Sequence, residues 1–278
     1  MKNSQPGPSS PFTMEMIDVS VHCDTHGAQT VKRIRSIDGE VFAMSRDPEC
    51  PACNKERIER EKLKRREAEL EEHRAHLLHA ARIPRRYENV TFADFITAQP
   101  NQARALEIVQ KYVEAVASRN HGGDWLVLSG LPGTGKTLLE SALCRHLAER
   151  GTSVFYTTQS DMARDFRRSY QRDAERSEPE LFDLLSTKSV LVIDEIGAST
   201  SEHIERLLFE ICDARYSDRR PTVFATNHPR KDLAAVIGER LYDRMCEVAT
   251  FVSFDWPSAR AATRRTHAAQ PSVAKRIA

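Results

Sequence analysis

The first chemistry legible in the chain lies in residues 125–137, WLVLSGLPGTGKT, where Gly130, Gly135, Lys136 and Thr137 frame the pattern G-x-x-x-x-G-K-T. Glycines at this spacing let backbone N–H groups curl around a polyphosphate, with Pro132, Gly133, Thr134 and Leu138 completing the loop and its exit. Lys136 then reaches the β- and γ-phosphates, and the Thr137 hydroxyl ligates Mg²⁺. The pattern is a complete P-loop and implies a nucleoside polyphosphate. A second set, Asp194–Glu195, ends the apolar run Ser189–Ile193. Its first carboxylate suits Mg²⁺ held through water, and its second suits a residue that polarises the water attacking a γ-phosphate. A third set is Cys23, His26, Cys50 and Cys53, a C-x-x-H pair facing a C-x-x-C pair. Two-residue gaps turn both side chains of a knuckle onto one ion, and three sulfurs with one imidazole suit tetrahedral Zn²⁺. His22 is an alternative to His26, although the C-x-x-H-G spacing favours His26.

These residues need elements to hold them. Trp125–Leu128 and Ser189–Ile193 read as buried parallel strands, as do Ser153–Thr158, Pro221–Asn227 and Thr250–Phe254. Helical patterns lie between them: Gln102–Ser118, Lys136–Arg150 stopped by Gly151, a segment from Ser160-Asp161 to about Arg172, another from Glu178, then Glu202–Tyr216 and Gly238–Met245. Strands alternating with helices predict an α/β fold whose site lies at the carboxyl ends of the strands. Asn227, at such a strand tip, can lie between the strands carrying Lys136 and Asp194 and touch the γ-phosphate or the attacking water.

The organisation expected from composition is a disordered lead over residues 1–20, a zinc-ribbon-like module over 21–54, a charged linker helix over 55–81, an ATPase domain over 82–265 and a basic tail over 266–278. Asp38-Gly39 inside Val31–Met44 predicts a hairpin joining the two knuckles. In the linker, Leu63, Leu70 and Leu77 keep a seven-residue period, too sparse for a coiled coil, so a solvated helix spacing the module from the ATPase is expected. The 278 residues carry a net charge of +1, which names no partner. No apolar run spans a membrane and the Pro/Ser-rich start lacks a secretory core, so a cytoplasmic protein is expected. Six cysteines suggest metal and core positions, Cys144 among the latter, rather than disulfides. Arg164, Arg167, Arg168 and Arg172 interleave with Phe166 and Tyr170 on one helix. That helix either grips a phosphate backbone and stacks a base, or is a solvated face with two packing aromatics.

Taken in order, R-I-P-x-R-Y, S-G-x-P-G-T-G-K-T, L-V-I-D-E-I-G, the strand-tip T-N, G-E-R-x-x-D-R-M and F-D-W-x-S-x-R resemble the AAA+ ATPases, and more narrowly the DnaC-type replicative helicase loaders, over about residues 82–265. The resemblance implies a parallel five-stranded αβα core assembled head-to-tail into a spiral. It implies Asn227 as sensor 1, Arg244 as an arginine finger offered to a neighbour's nucleotide and Arg260 as sensor 2, with Arg240 a second candidate at that interface. It also implies single-stranded DNA near Tyr170 with Arg167 and Arg168, and a hexameric replicative helicase as partner. Two features depart from the best-known loader: the candidate zinc site, which related loaders share, and the short chain after Arg260. A transposition helper ATPase of the IstB type, which usually lacks a zinc module, is the alternative. So is an adaptor without turnover, against which Glu195 and Arg244 speak.

Overall fold

The computed structural model describes residues 14–43, 50–198 and 202–258. Its chain divides into two compact units, Met1–Glu71 and Glu72–Ala278, with the boundary inside one helix. In the first unit β1 (Glu15–Cys23), β2 (Gly27–Arg35) and β3 (Val41–Ala43) form an antiparallel sheet in that order. Ile17, Val19, Val21 and Cys23 alternate onto the less exposed face of β1, as a half-buried strand requires. This strand starts at Glu15, inside the stretch expected to be a loose lead; residues 1–13 lie outside the described residues. The Asp38-Gly39 hairpin falls where expected, with Gly39 N–H donating to the Ser36 carbonyl at 3.0 Å and Ser36 N–H to the Glu40 carbonyl at 2.9 Å.

The charged helix α1 runs Pro51–Ala80, four residues earlier than the linker expected from composition, so that Cys53 sits in its first turn. Proline suits that position because its missing N–H has no helical partner there. Pairs such as Arg57–Glu61 and Arg65–Glu69, both 2.9 Å, run along its solvated side. Of the seven-residue leucine row, Leu63 and Leu70 are exposed and only Leu77 is buried.

The second unit is a parallel sheet of five strands: β4 (Trp125–Gly130), β5 (Val154–Thr158), β6 (Val190–Asp194), β7 (Thr222–Thr226) and β8 (Ala249–Phe254), in the spatial order β5-β6-β7-β4-β8. Each central strand is a run of buried residues because helices cover both faces. Leu126, Leu128, Val190 and Val192 face α2 (Pro100–Ala117) and α3 (Lys136–Glu149). Trp125, Val127, Leu191 and Ile193 face the other layer. That layer holds α4 (Gln159–Ser169), α5 (Glu178–Thr187), α6 (Glu202–Ser217), the short α7 (Leu233–Ile237) and α8 (Glu239–Val248). Each fully buried leucine contributes roughly 1.5–3 kcal/mol. Helix α4 begins at Gln159 and not after Ser160-Asp161, because the Thr158 hydroxyl accepts the Asp161 N–H and caps it. It ends at Ser169, short of Arg172. Cys144 is fully buried, as its helical face implied.

One buried cation ties the lower end of this sheet together. Arg215 is fully buried. It donates to the carbonyls of Leu185, Ser186 and Lys188 through Nη1, to Pro221 through Nη2 and to the Thr222 hydroxyl through Nε. The orphan carbonyls at the end of α5 thereby find their donor on α6. Burial lowers the guanidinium pKa to about 10, so it stays charged near neutral pH. Arg215→Ala is expected to destabilise the domain by about 3 kcal/mol or more, since each stranded carbonyl costs about 1 kcal/mol or more. That is a fall in Tm of about 6 °C or more. A thermal melt within 2 °C of wild type, taking about 2 °C as the shift per kcal/mol, would remove Arg215 from this role.

Candidate nucleotide and metal sites

The loop between β4 and α3 takes its shape from two glycines that no other residue can replace. A Cβ on Gly130 would lie 2.2 Å from the Phe254 carbonyl oxygen of β8, and a Cβ on Gly135 would lie 2.8 Å from the Phe95 ring; both have positive φ, 141° and 102°. The loop is also pinned from below. Trp256 is almost fully buried against Phe95 and Phe254 and donates its indole N–H to the Thr134 carbonyl at 3.0 Å. The Thr134 hydroxyl in turn donates to the Leu131 carbonyl at 2.7 Å. Lys136 opens α3 and is itself buried, its Nζ donating to the carbonyls of Gly130 at 2.7 Å and Leu131 at 2.9 Å.

Because β6 and β4 flank β7, the ends of these three strands bring the separated motifs together. Pro132, Gly133, Gly135, Lys136, Thr137 and Leu138 line one cleft of about 300 Å³ with Asp194, Glu195 and Asn227. Asn227 follows β7 directly and so sits between the other two strand ends, as its strand-tip position implied. Gly130 and Thr134 shape the loop without lining that cleft.

Asp194 is held by three donors. The Thr137 hydroxyl and the Tyr156 hydroxyl of β5 both donate to Oδ2 at 2.8 Å, and the Glu195 N–H donates to Oδ1 at 2.7 Å. A threonine hydroxyl against a fixed carboxylate is the hard oxygen pair that Mg²⁺ takes, so the residues fit that ion. Glu195 adopts φ 56°, a left-handed conformation rare for a residue with a side chain. The turn lifts its exposed carboxylate out of the strand line at the cleft. Strain of this kind costs roughly 1–3 kcal/mol and persists where the surroundings impose it.

Four residues here were given no site role from the sequence, although Arg86, Tyr87 and Trp256 fall within the quoted motifs. Tyr156 and Trp256 hold the site from beneath. Arg86 and Tyr87, part of the R-I-P-x-R-Y segment, line the same cleft from a short 3₁₀ turn. Beneath Asp194, one turn into α3, Glu140 is fully buried, and neither carboxylate oxygen has a hydrogen-bond partner among the described residues. Burial, then the charge of Asp194, raises its pKa well above the ordinary glutamate value.

The arginines lie elsewhere. Arg244, on α8, pairs with Asp213 of α6 at 3.2 Å and stands 4.4 Å over the Tyr216 ring. Arg240, one turn earlier, is exposed, 6.0 Å from the Phe209 ring centroid. Neither lines the cleft. Arg260 and the basic tail lie outside the described residues. On α4, Phe166 is buried in the core, whereas Arg167, Arg168 and Tyr170 are exposed, the Tyr170 hydroxyl lying 3.4 Å from His203 Nε2. Of the two aromatics interleaved with arginine, one therefore packs and one faces solvent.

In the first unit Cys23, His26, Cys50 and Cys53 converge, their four donor atoms within 4.8 Å of one another. His22, left open by the sequence, projects from the exposed face of β1 and is no member of the cluster. Their surroundings drive Cys23 and Cys53 in opposite directions. The His26 N–H, then its imidazole, draws Cys23 down to about 6. Cys53 is pushed up to about 12, first by Cys23 and then by burial. A second thiolate beside the first needs a cation, which is the demand a bound metal meets.

The family of ATP-binding proteins described as "IstB-like ATP binding protein" matches residues 54–267. The chain belongs to this family. Among curated relatives, the replicative helicase loader DnaC of Escherichia coli (strain K12) is 34% identical over 176 residues, 63% of this chain and 70% of that one. Of solved structures, the crystal structure of the DnaC helicase loader covers 61% of this chain and 98% of its own, with a TM-score of 0.54 at 23% identity. The crystal structure of DnaI covers 64% and 94%, with a TM-score of 0.53 at 22% identity. The five-stranded parallel αβα core is thus the AAA+ fold of this family, as the motifs implied.

Proposed function

We propose that this chain is an ATP-dependent loader that places a hexameric replicative helicase on single-stranded DNA. The observation that carries the reading is the strand order β6-β7-β4, which gathers Lys136, Thr137, Asp194, Glu195 and Asn227 at one cleft in a chain 34% identical to a replicative helicase loader. Lys136 would hold the β- and γ-phosphates, and Thr137 with Asp194 would hold Mg²⁺, which neutralises charge developing on the transferred phosphoryl group. Glu195 would orient and polarise the attacking water, and Asn227 would sense the γ-phosphate. ATP binding would assemble a head-to-tail spiral with Arg244 presented in trans, and hydrolysis would release it. Arg167, Arg168 and Tyr170 are the candidate contacts to single-stranded DNA, a phosphate grip beside an exposed ring. Arg260 remains a proposed sensor 2. The first unit, with Zn²⁺ on Cys23, His26, Cys50 and Cys53, would engage the helicase. Loading a replicative helicase onto single-stranded DNA fits a cytoplasmic protein, and no helix among the described residues is long and apolar enough to cross a membrane.

The family's description also admits a transposition helper ATPase of the IstB type. One experiment separates the two: gel filtration of the full chain with the hexameric replicative helicase of its host, with and without ATP. Co-elution with ATP and transfer of the helicase to single-stranded DNA is the expected result. No association in any nucleotide state overturns the loader reading.

A further inference from the structure

We propose that His26 binds its metal through Nδ1, and that Glu56 is a positioning residue that holds the imidazole in the required tautomer. The inference rests on the zinc reading of the Cys23–His26–Cys50–Cys53 cluster. His26 Nδ1 lies 3.8 Å from Cys23 Sγ, 3.7 Å from Cys50 Sγ and 3.3 Å from Cys53 Sγ. Tetrahedral zinc with its usual bond lengths sets neighbouring sulfur and nitrogen ligands about 3.6 Å apart. The three distances bracket that edge. Two sulfur ligands belong about 3.8 Å apart on the same geometry, and Cys23 and Cys53 are separated by 3.5 Å.

The other ring nitrogen faces a different group. His26 Nε2 lies 3.0 Å from Glu56 Oε1. A neutral imidazole carries one N–H, and a carboxylate is only an acceptor. Placing the proton on Nε2 satisfies Glu56 and leaves the Nδ1 lone pair aimed among the three sulfurs. The opposite tautomer sets a lone pair against the carboxylate and an N–H where the metal belongs. Helix α1 supplies the register: Glu56 is three residues after Cys53, so thiol and carboxylate emerge on one side of the helix. On the other wall, Gln29 donates to the His26 carbonyl at 3.1 Å, fixing the knuckle from which the ring projects.

The test uses full-length, zinc-loaded protein labelled with ¹⁵N-histidine. Long-range ¹H–¹⁵N correlation is expected to show His26 protonated at Nε2 and metal-bound at Nδ1. In competition with a chromophoric chelator, Glu56→Ala is expected to weaken zinc binding about 10-fold, the lower end of what such outer partners contribute. Glu56→Gln, whose amide oxygen still accepts the Nε2 proton, should weaken it less. Metal found on Nε2, or zinc held by Glu56→Ala as tightly as by wild type, overturns the inference. Failure of the underlying reading looks different: wild-type protein without stoichiometric zinc, or zinc retained by the Cys50→Ser, Cys53→Ser double variant, removes the site itself.

Discussion

Glu195→Gln is expected to bind ATP as wild type does and to hydrolyse it about 10²-fold more slowly or worse. Binding should survive because nothing that holds Asp194 depends on the Glu195 side chain. The donors are the Thr137 and Tyr156 hydroxyls and the backbone N–H of residue 195, all of which Glu195→Gln keeps. Turnover should fall because glutamine matches the shape of glutamate and cannot take up a proton from water. The strained backbone supplies a control. Glu195→Gly abolishes both the carboxylate and the left-handed strain at φ 56°, so it should melt higher than wild type, by up to about 1–3 kcal/mol in stability, while remaining inactive. Single-turnover hydrolysis with a melt on each variant checks both statements. Equal hydrolysis by wild type and Glu195→Gln would take the catalytic role from this residue.

How far such a site can be read in advance depends on how local its determinants are. Strand β6 was legible because Val190–Ile193 is apolar without interruption and ends in two carboxylates. The phosphate loop was legible because its glycines and lysine are sequence neighbours. The strand-tip Asn227 was legible as a residue able to lie between the two motif strands, and the order β6-β7-β4 puts it there. The supports were hidden because their determinants are not local. Trp256 reaches a carbonyl 122 residues earlier, and Tyr156 reaches a carboxylate 38 residues later. Arg215 looked like any helical arginine; only the fold shows that it serves the stranded carbonyls of Leu185 and Ser186, with Arg220 on that of Thr187, and the entrance to β7.

The miss at β1 was of another kind. Ile17, Val19 and Val21 alternate as a half-buried strand should, and the signal was present in the sequence. The Pro/Ser-rich residues ahead of it pulled the reading towards a loose lead. Glu140 is instructive in the opposite sense. A glutamate on an amphipathic helix is ordinarily solvated, yet this one is fully buried, and that burial raises its pKa, favouring the uncharged form.

Arg244 is expected to act in trans, with a loss of about 10³-fold in stimulated hydrolysis when it is replaced by alanine. It does not line the cleft that holds Lys136 and Glu195, so it is not placed to serve its own subunit's nucleotide. Its tethers within the chain do not prevent service to a neighbour. The pair with Asp213 and the contact over Tyr216 both lie at the solvated surface, where such interactions are weak. A 10³-fold effect on a barrier is about 4 kcal/mol. A neighbour's transition state therefore outbids both tethers. Mixing provides the test: Arg244→Ala and Lys136→Ala proteins, each inactive alone, should regain partial hydrolysis together, because an intact Lys136 site then meets an intact Arg244 from the adjacent subunit. Repeating the mixture with Arg240→Ala assigns the arginine: restoration that needs Arg240 and not Arg244 moves the finger one turn along α8. If no ratio restores activity although the proteins co-assemble, Arg244 is a structural partner of Asp213 and Tyr216, and the proposed spiral loses the arginine that would couple its subunits.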